Sequence, residues 1–382
     1  MLTQYLEIYR RGFADRHLRL INQRSNVRIM MQGIALPFSQ SVIIRSQLTP
    51  INIERDSALK LNEEKEILFK YFEPVKNHLQ HQQIHDTLAF YDEANLLVNQ
   101  NDKLSLFSIR SKKVRPLKAF GGITCFSYAP KHEVVAITID LQHIDLFSMR
   151  SRSSLNSSPI RISSDLIGIA KIFDVPAPTM FCSGNSKFME MMNLETMKFT
   201  RFPIEFNINN FYYNEESKLL CTACEPLAPE LAAITPSFSL FDLREKPQLA
   251  QALHVIPANA PHPKRTGSSA SFLSNNRLIC ASENGYMNLF DLRRSETPLA
   301  QLKTSSIVFS LLPTHRPDIV AYSQLTHACG FLFLNPEQME AHVEGVFGVL
   351  NGAAVSESGR TAAFSLPDIN TDYPGIGVFD VL

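Results

Sequence analysis

Residues 238–244 read FSLFDLR, and residues 287–293 read MNLFDLR. Each is a short alternating strand that closes on an aromatic and gives way to a polar turn. Outward in both directions the same phrase returns, as LSLFSIR at 104–110, IDLFSMR at 144–150, MEMMNLE at 189–195, GFLFLN at 330–335 and IGVFDVL at 376–382. Its anchors, taken as Phe107, Phe147, Met191, Phe241, Phe290, Phe333 and Phe379, are spaced 40, 44, 50, 49, 43 and 46 residues apart. A repeat of that length is one four-stranded propeller blade. Seven anchors therefore predict an all-β fold, a seven-bladed β-propeller.

Every anchor has an apolar run upstream, at 96–98, 134–137, 180–182, 219–222, 278–281, 319–322 and 361–364. A third strand precedes most of these runs, as at 123–127, 270–273 and 307–311, and a fourth follows some anchors, as at 115–120, 249–255 and 299–303. The sequence ends on the third strand of the seventh blade. An open ring leaves a sheet edge unpaired, so the missing outer strand is expected from residues 67–84, pairing with residues 375–381. A pair of β-sandwiches is the alternative, and regular spacing through seven units argues against it. A solenoid, with shorter and often helical repeats, fits less well.

Residues 1–32 are of another kind. Leu2, Leu6, Tyr9 and Phe13 fall at helical spacing, as do Ala14, Leu18 and Ile21. That pattern predicts one or two short amphipathic helices over 2–23, a helical extension ahead of the propeller, with Gly12 near their junction. Residues 33–66, with Pro37 and Pro50, read as an extended connector, and residues 67–382 as the propeller.

Lys plus Arg and Asp plus Glu both total 37, so the formal net charge is zero. A whole-protein electrostatic footprint for nucleic acid or membrane is absent. No run of eighteen apolar residues occurs, so no transmembrane helix is expected. Neither a membrane nor direct nucleic-acid binding is therefore expected. Six cysteines in 382 residues do not make a disulfide framework; reduced thiols, in the nucleus or cytoplasm, are the plainer reading. Residues 1–30 carry six arginines against only Glu7 and Asp15. A mitochondrial presequence shares that bias, and the two acids argue against it.

Cys221 and Cys224 form CTAC, but no second ligand pair accompanies them. On a strand their thiols point to opposite faces, so they read as buried structural cysteines. His78, His81 and His85 lie in a polar run and read as surface residues. No nucleophile elbow, Walker loop or dinucleotide fingerprint is present, and no catalytic, cofactor or metal site is expected. Catalytic groups converging from distant blades remain a separate possibility. The informative feature is the repeated FDLR. Alternation sets Phe241 and Leu243 on one side of the strand and Asp242 and Arg244 on the other; Phe290, Leu292, Asp291 and Arg293 repeat the arrangement. A terminal Asp often only pins a turn, and an Arg after it is often only soluble surface. Their repetition in consecutive blades points to a shared docking edge.

The window at 278–293, LICASENGYMNLFDLR, resembles the box that marks WD-repeat substrate receptors of cullin-4 ubiquitin ligases, the cullin-4-associated factors. The resemblance rests on Leu278, Ile279, Ala281, Ser282, Met287, Leu289, Phe290, Asp291, Leu292 and Arg293. It departs from the box at Cys280, Asn284 and Phe290, the last in place of Trp. Two boxes followed by two degenerate blades are similar to the factor-4-like members. The resemblance implies a non-enzymatic receptor with two partners: the damaged-DNA-binding-type propeller adaptor of the ligase and an unidentified substrate protein. It also implies that Asp242, Arg244, Asp291 and Arg293 dock the adaptor, with the helices carrying Leu2, Leu6, Tyr9 and Phe13 inserted into it. The alternative is a general WD-repeat scaffold in a chromatin, RNA-processing or ribosome-assembly complex.

Overall fold

In the computed structural model the described residues are 67–74 and, apart from single residues and short connecting segments, 88–381. The helices expected over 2–23, with Leu2, Leu6, Tyr9 and Phe13, and the histidines at 78, 81 and 85 lie outside them.

The chain first lays down β1 (Ile67–Pro74), then six blades in sequence order. Blade 1 holds β2 (Leu88–Asp92), β3 (Asn95–Gln100), β4 (Lys103–Ser108) and β5 (Lys113–Ala119). Blade 2 holds β6 (Ile123–Ala129), β7 (Val134–Ile139) and β8 (His143–Ser148), with its outer strand split into β9 (Ser153–Ser154) and β10 (Ile160–Arg161). Blade 3 runs through β11 (Ile167–Val175), β12 (Ala177–Gly184), β13 (Phe188–Asn193) and β14 (Lys198–Pro203). Blade 4 follows with β15 (Phe206–Asn214), β16 (Leu219–Pro226), β17 (Phe238–Asp242) and β18 (Gln248–Leu253). Blade 5 is β19 (Gly267–Ser274), β20 (Arg277–Ser282), β21 (Tyr286–Asp291) and β22 (Ala300–Lys303). Blade 6 is β23 (Val308–Pro313), β24 (Ile319–Gln324), β25 (Cys329–Leu334) and β26 (Met339–Val343). Blade 7 has β27 (Ala353–Val355), β28 (Thr361–Pro367) and β29 (Pro374–Val381), and β1 completes it.

Every neighbouring pair within a blade is antiparallel. The seal is antiparallel too, running from Ile67 opposite Val381 to Pro74 opposite Gly375 with one bulge between Phe69 and Tyr71. The outer strand of the last blade thus comes from the segment expected to supply it. Around the ring the first strands of consecutive blades touch one another, which places them innermost.

The core is seven separate apolar clusters, one at each interface between blades. Strand alternation deals each blade's residues to its two neighbours. In blade 5, Leu278, Cys280 and Phe290 pack toward blade 4, while Ile279, Ala281, Met287 and Leu289 pack toward blade 6. A buried Leu or Phe side chain contributes about 1.5–3 kcal/mol, so stability is spread around the ring.

Two of the seven anchors differ from the sequence reading. Met191 and Phe333 are half-buried and face the following blade, where Phe107, Phe147, Phe241, Phe290 and Phe379 face the preceding one. The residues that face backward in blades 3 and 6 are Met192 and Leu332, both buried. The apolar runs around these positions are unbroken, so a period of two has no phase there, and the side facing the core is set by pairing. Counted from Met192 and Leu332, the residue two past each anchor donates its backbone N–H across the turn in all seven blades. The bonds run from Ile109 to Ala94, Met149 to Glu133, Leu194 to Pro178, Leu243 to Lys218, Leu292 to Asn276, Leu334 to Asp318 and Val381 to Arg360, at 2.7–3.0 Å.

Candidate docking face

Because neighbouring strands run antiparallel, connections alternate between the two ends of a blade. The turn after the first strand and the turn after the third share one face; first-strand turns lie at the mouth of the ring and third-strand turns at its rim.

At the rim, the residue closing the third strand is a short polar capper in most blades. In blade 1 Ser108 Oγ accepts from the Ser111 N–H at 3.3 Å, and in blade 2 Ser148 Oγ accepts from the Ser151 N–H at 3.2 Å. In blade 3 Asn193 Oδ1 accepts the N–H groups of Glu195 and Thr196 at 3.0 and 2.9 Å. Asp242 and Asp291 occupy this position in blades 4 and 5, and each Oδ1 accepts the backbone N–H two residues on, from Arg244 and Arg293, at 3.0 Å. Asx and hydroxyl turns of this kind end strands because a side-chain oxygen replaces the lost ladder partner.

The aspartates also clamp a guanidinium. Asp291 Oδ1 accepts from Arg293 Nε at 2.9 Å and Oδ2 from Nη2 at 2.6 Å. Asp242 repeats the fork on Arg244, with Nε at 3.0 and 2.9 Å from the two oxygens and Nη2 against Oδ2. The arginine side chains stay 71% and 69% exposed, at Arg244 and Arg293, while their carboxylates are largely covered. The Arg244 and Arg293 guanidinium groups, followed by the backbone N–H bonds, hold the two carboxyls below the usual carboxylate range. Phe241 and Leu243 lie together in the cluster between blades 3 and 4, and Phe290 with Leu292 in that between blades 4 and 5, as alternation requires.

The same turn position carries arginine in blades 1 and 2, where Arg110 and Arg150 follow a serine instead of an aspartate. Arg150 is 87% exposed and meets Glu133 at 3.1 Å. Four blades therefore present an arginine along one rim, and two of the four hold it in a fork. The sequence carries these arginines in LSLFSIR and IDLFSMR, but only FDLR repeats letter for letter.

At blades 7, 1 and 2 the mouth of this face gathers carboxylates. Asp92, Glu133 and Glu357, from blades 1, 2 and 7, line an open cavity of about 320 Å³ with Tyr91, Tyr128 and Lys131. Lys131 is neutralised from outside the cavity, 2.8 Å from Glu215 and 3.4 Å from Asp174; the latter also meets His132. The desolvated Tyr128 hydroxyl, facing Tyr91, Glu133, Asp92 and Glu357, has its pKa pushed up.

Cys221 and Cys224 do sit on opposite sides of blade 4, in the clusters shared with blades 5 and 3. Burial pushes both thiols up, Cys224 to about 12. A zinc-binding thiolate requires the reverse. Among the described residues no group of three or more His, Cys, Asp or Glu could hold a metal ion, and no helix is long and apolar enough to cross a membrane.

No protein-family model matches the chain, and no curated protein does. Solved structures match in fold. The structure of U3-55K is 12% identical, with 83% of this chain and 99% of that chain covered and a TM-score of 0.59. The RRP9 WD40 repeats are 11% identical, with 84% and 98% covered and a TM-score of 0.60. A chain of the mitotic checkpoint complex is 9% identical, with 84% and 96% covered and a TM-score of 0.63. Ring, blade and seal together make this chain a seven-bladed β-propeller of the WD-repeat type.

Proposed function

We propose that this chain is a non-enzymatic protein-interaction scaffold that serves as a substrate receptor of a cullin-4 ubiquitin ligase, in the nucleus or cytoplasm. The observation that supports this reading is the matching pair of forks, Asp242 on Arg244 and Asp291 on Arg293, in consecutive blades. A guanidinium held by its own carboxylate is pre-organised, so a partner loses less rotamer entropy in fixing it. The N-terminal segment carrying Leu2, Leu6, Tyr9 and Phe13 supplies the apolar part of the adaptor contact. The substrate is taken on the opposite face, where the connection at 227–237 leaves Ile234 74% exposed beside a turn fixed by Thr235 on Leu231. Long connections on a rigid scaffold are where recognition resides.

The test is co-precipitation of the propeller adaptor by the full chain. Arg244→Glu with Arg293→Glu is expected to cut adaptor recovery at least tenfold while the melting temperature holds. Normal recovery would return the protein to the second reading, a general scaffold. The rim arginines Arg110 and Arg150, which lack the aspartate clamp, favour that second reading.

A further inference from the structure

Where blades 7, 1 and 2 meet, the mouth of the docking face gathers carboxylates. Arg110, Arg150, Arg244 and Arg293 stand at the rim. Inside them, the first-strand turns of blades 7, 1 and 2 bring Glu357, Asp92 and Glu133 to one cavity of about 320 Å³. An acceptor-rich concavity suits a cationic side chain.

The hydrogen bonds on Asp92 come from neutral groups. Asp92 Oδ1 accepts from the Ala94 N–H at 2.7 Å, and Asn95 Nδ2 bonds both its oxygens at 2.9 Å. Those donors are neutral, so they orient the carboxylate without cancelling it. Glu133 meets Arg150 in an exposed pair, which solvent and salt weaken. Glu93 ties the turns of blades 1 and 7 together, its Oε1 accepting the Ser358 N–H at 3.0 Å. The cation that does line the cavity, Lys131, is engaged by Glu215 and Asp174.

The cavity also has an aromatic wall. The Tyr91 and Tyr128 rings sit 5.7 Å apart, tilted by 42°. Tyrosine faces attract cations within about 6 Å, and an aromatic wall beside carboxylates accommodates the alkyl stem as well as the charged head.

We propose that this cavity receives a lysine or arginine side chain presented by a partner protein, its charge met by Asp92, Glu133 and Glu357 and its stem by Tyr91 and Tyr128. The site is independent of the cullin-4 reading, because it lies in blades 7, 1 and 2 and uses none of the clamped arginines.

The probes are fluorescein-labelled nonapeptides with Gly/Ser flanks and one central residue: arginine, lysine, citrulline, acetyl-lysine or glutamate. Fluorescence anisotropy on the full chain is expected to show the arginine or lysine peptide binding at least tenfold tighter than its neutral counterpart. Comparison of the two cationic peptides identifies which side chain the cavity prefers. Glu133→Gln with Glu357→Gln should abolish the preference with melting unchanged, and Tyr128→Leu should weaken both cationic peptides. Arg244→Glu with Arg293→Glu should leave peptide binding intact, so loss of adaptor recovery in that variant and loss of peptide binding are separate outcomes. Equal binding of charged and neutral peptides, binding by none of them at millimolar concentration, or a preference that survives both cavity variants would overturn the proposal.

Discussion

The carboxylate of Asp291 holds Arg293 three times, through its backbone N–H at 3.0 Å, Nε at 2.9 Å and Nη2 at 2.6 Å. One side chain thus ends a strand and aims a charge. The two roles separate under mutation. Asp291→Asn keeps an acceptor for the turn and loses the ion pair. Because the guanidinium of Arg293 depresses the folded-state pKa, its stabilisation is present above the unfolded value of about 3.9 and is lost as pH falls through the folded value. The stability difference between the native chain and Asp291→Asn should be flat near neutrality and begin to shrink below about pH 4. Urea unfolding at pH 7, 4 and 2.5 measures it; a difference that does not change over that range would show that the ion pair contributes nothing to stability.

The clamped and unclamped arginines can be set against each other. Arg110→Glu with Arg150→Glu is expected to leave adaptor recovery within about twofold of native, unlike the Arg244 and Arg293 pair. Interface arginines held in well-packed positions commonly carry about 2 kcal/mol or more each, whereas rim charges mainly alter association rate. Equal loss in both double variants would mean that the whole rim docks and that the aspartates serve only the turns.

The interface between blades 6 and 7 holds three edge-on rings. Phe379 lies 5.6 Å from Phe364 and 5.9 Å from Phe331, both edge-on, with Phe331 and Phe364 also edge-on at 5.8 Å. All three are buried. Phe379→Ala is expected to cost about 3–5 kcal/mol, read as a lower urea midpoint.

Gly359 is required where it stands. Its φ is +73°, and a Cβ there would run into the backbone of Thr314 and His315. The Gly359 carbonyl accepts the His315 N–H at 3.1 Å across the seam between blades 6 and 7. Gly359→Ala should therefore destabilise by about 1 kcal/mol or more; a melting temperature equal to that of the native chain would show that the turn relaxes freely.

The blade count, the strand pairs and the origin of the closing strand were legible in the sequence because period-two alternation and turn residues repeat every forty to fifty positions. The phase failed at Met191 and Phe333, where apolar residues sit side by side and only pairing decides which faces backward. The Asp–Arg pairs were visible as letters, but the fork was not, since an exposed pair and a clamped pair have the same sequence. The mouth cavity left no local trace. Tyr91 and Tyr128 come from consecutive blades, but Glu357 lies in blade 7 and joins them only through ring closure.

The seal pairs Ile67 with Val381, and this sets an order on synthesis. As the ribosome extends the chain, blades 1 to 6 can condense in turn on their predecessors, each interface using sequence already made. β1 waits throughout with no sheet to join, because its partner is β29 near the end of this sequence. Bringing such distant segments together carries a large loop-closure entropy in an extended chain, but stacked blades shorten the distance. The seventh blade is then the step at which nascent protein stops exposing an open edge to pair with other chains. Ribosome-bound chains arrested before residue 374 should accordingly be protease-sensitive at residues 67–74 and prone to associate with one another, and chains arrested with β29 fully emerged should be neither.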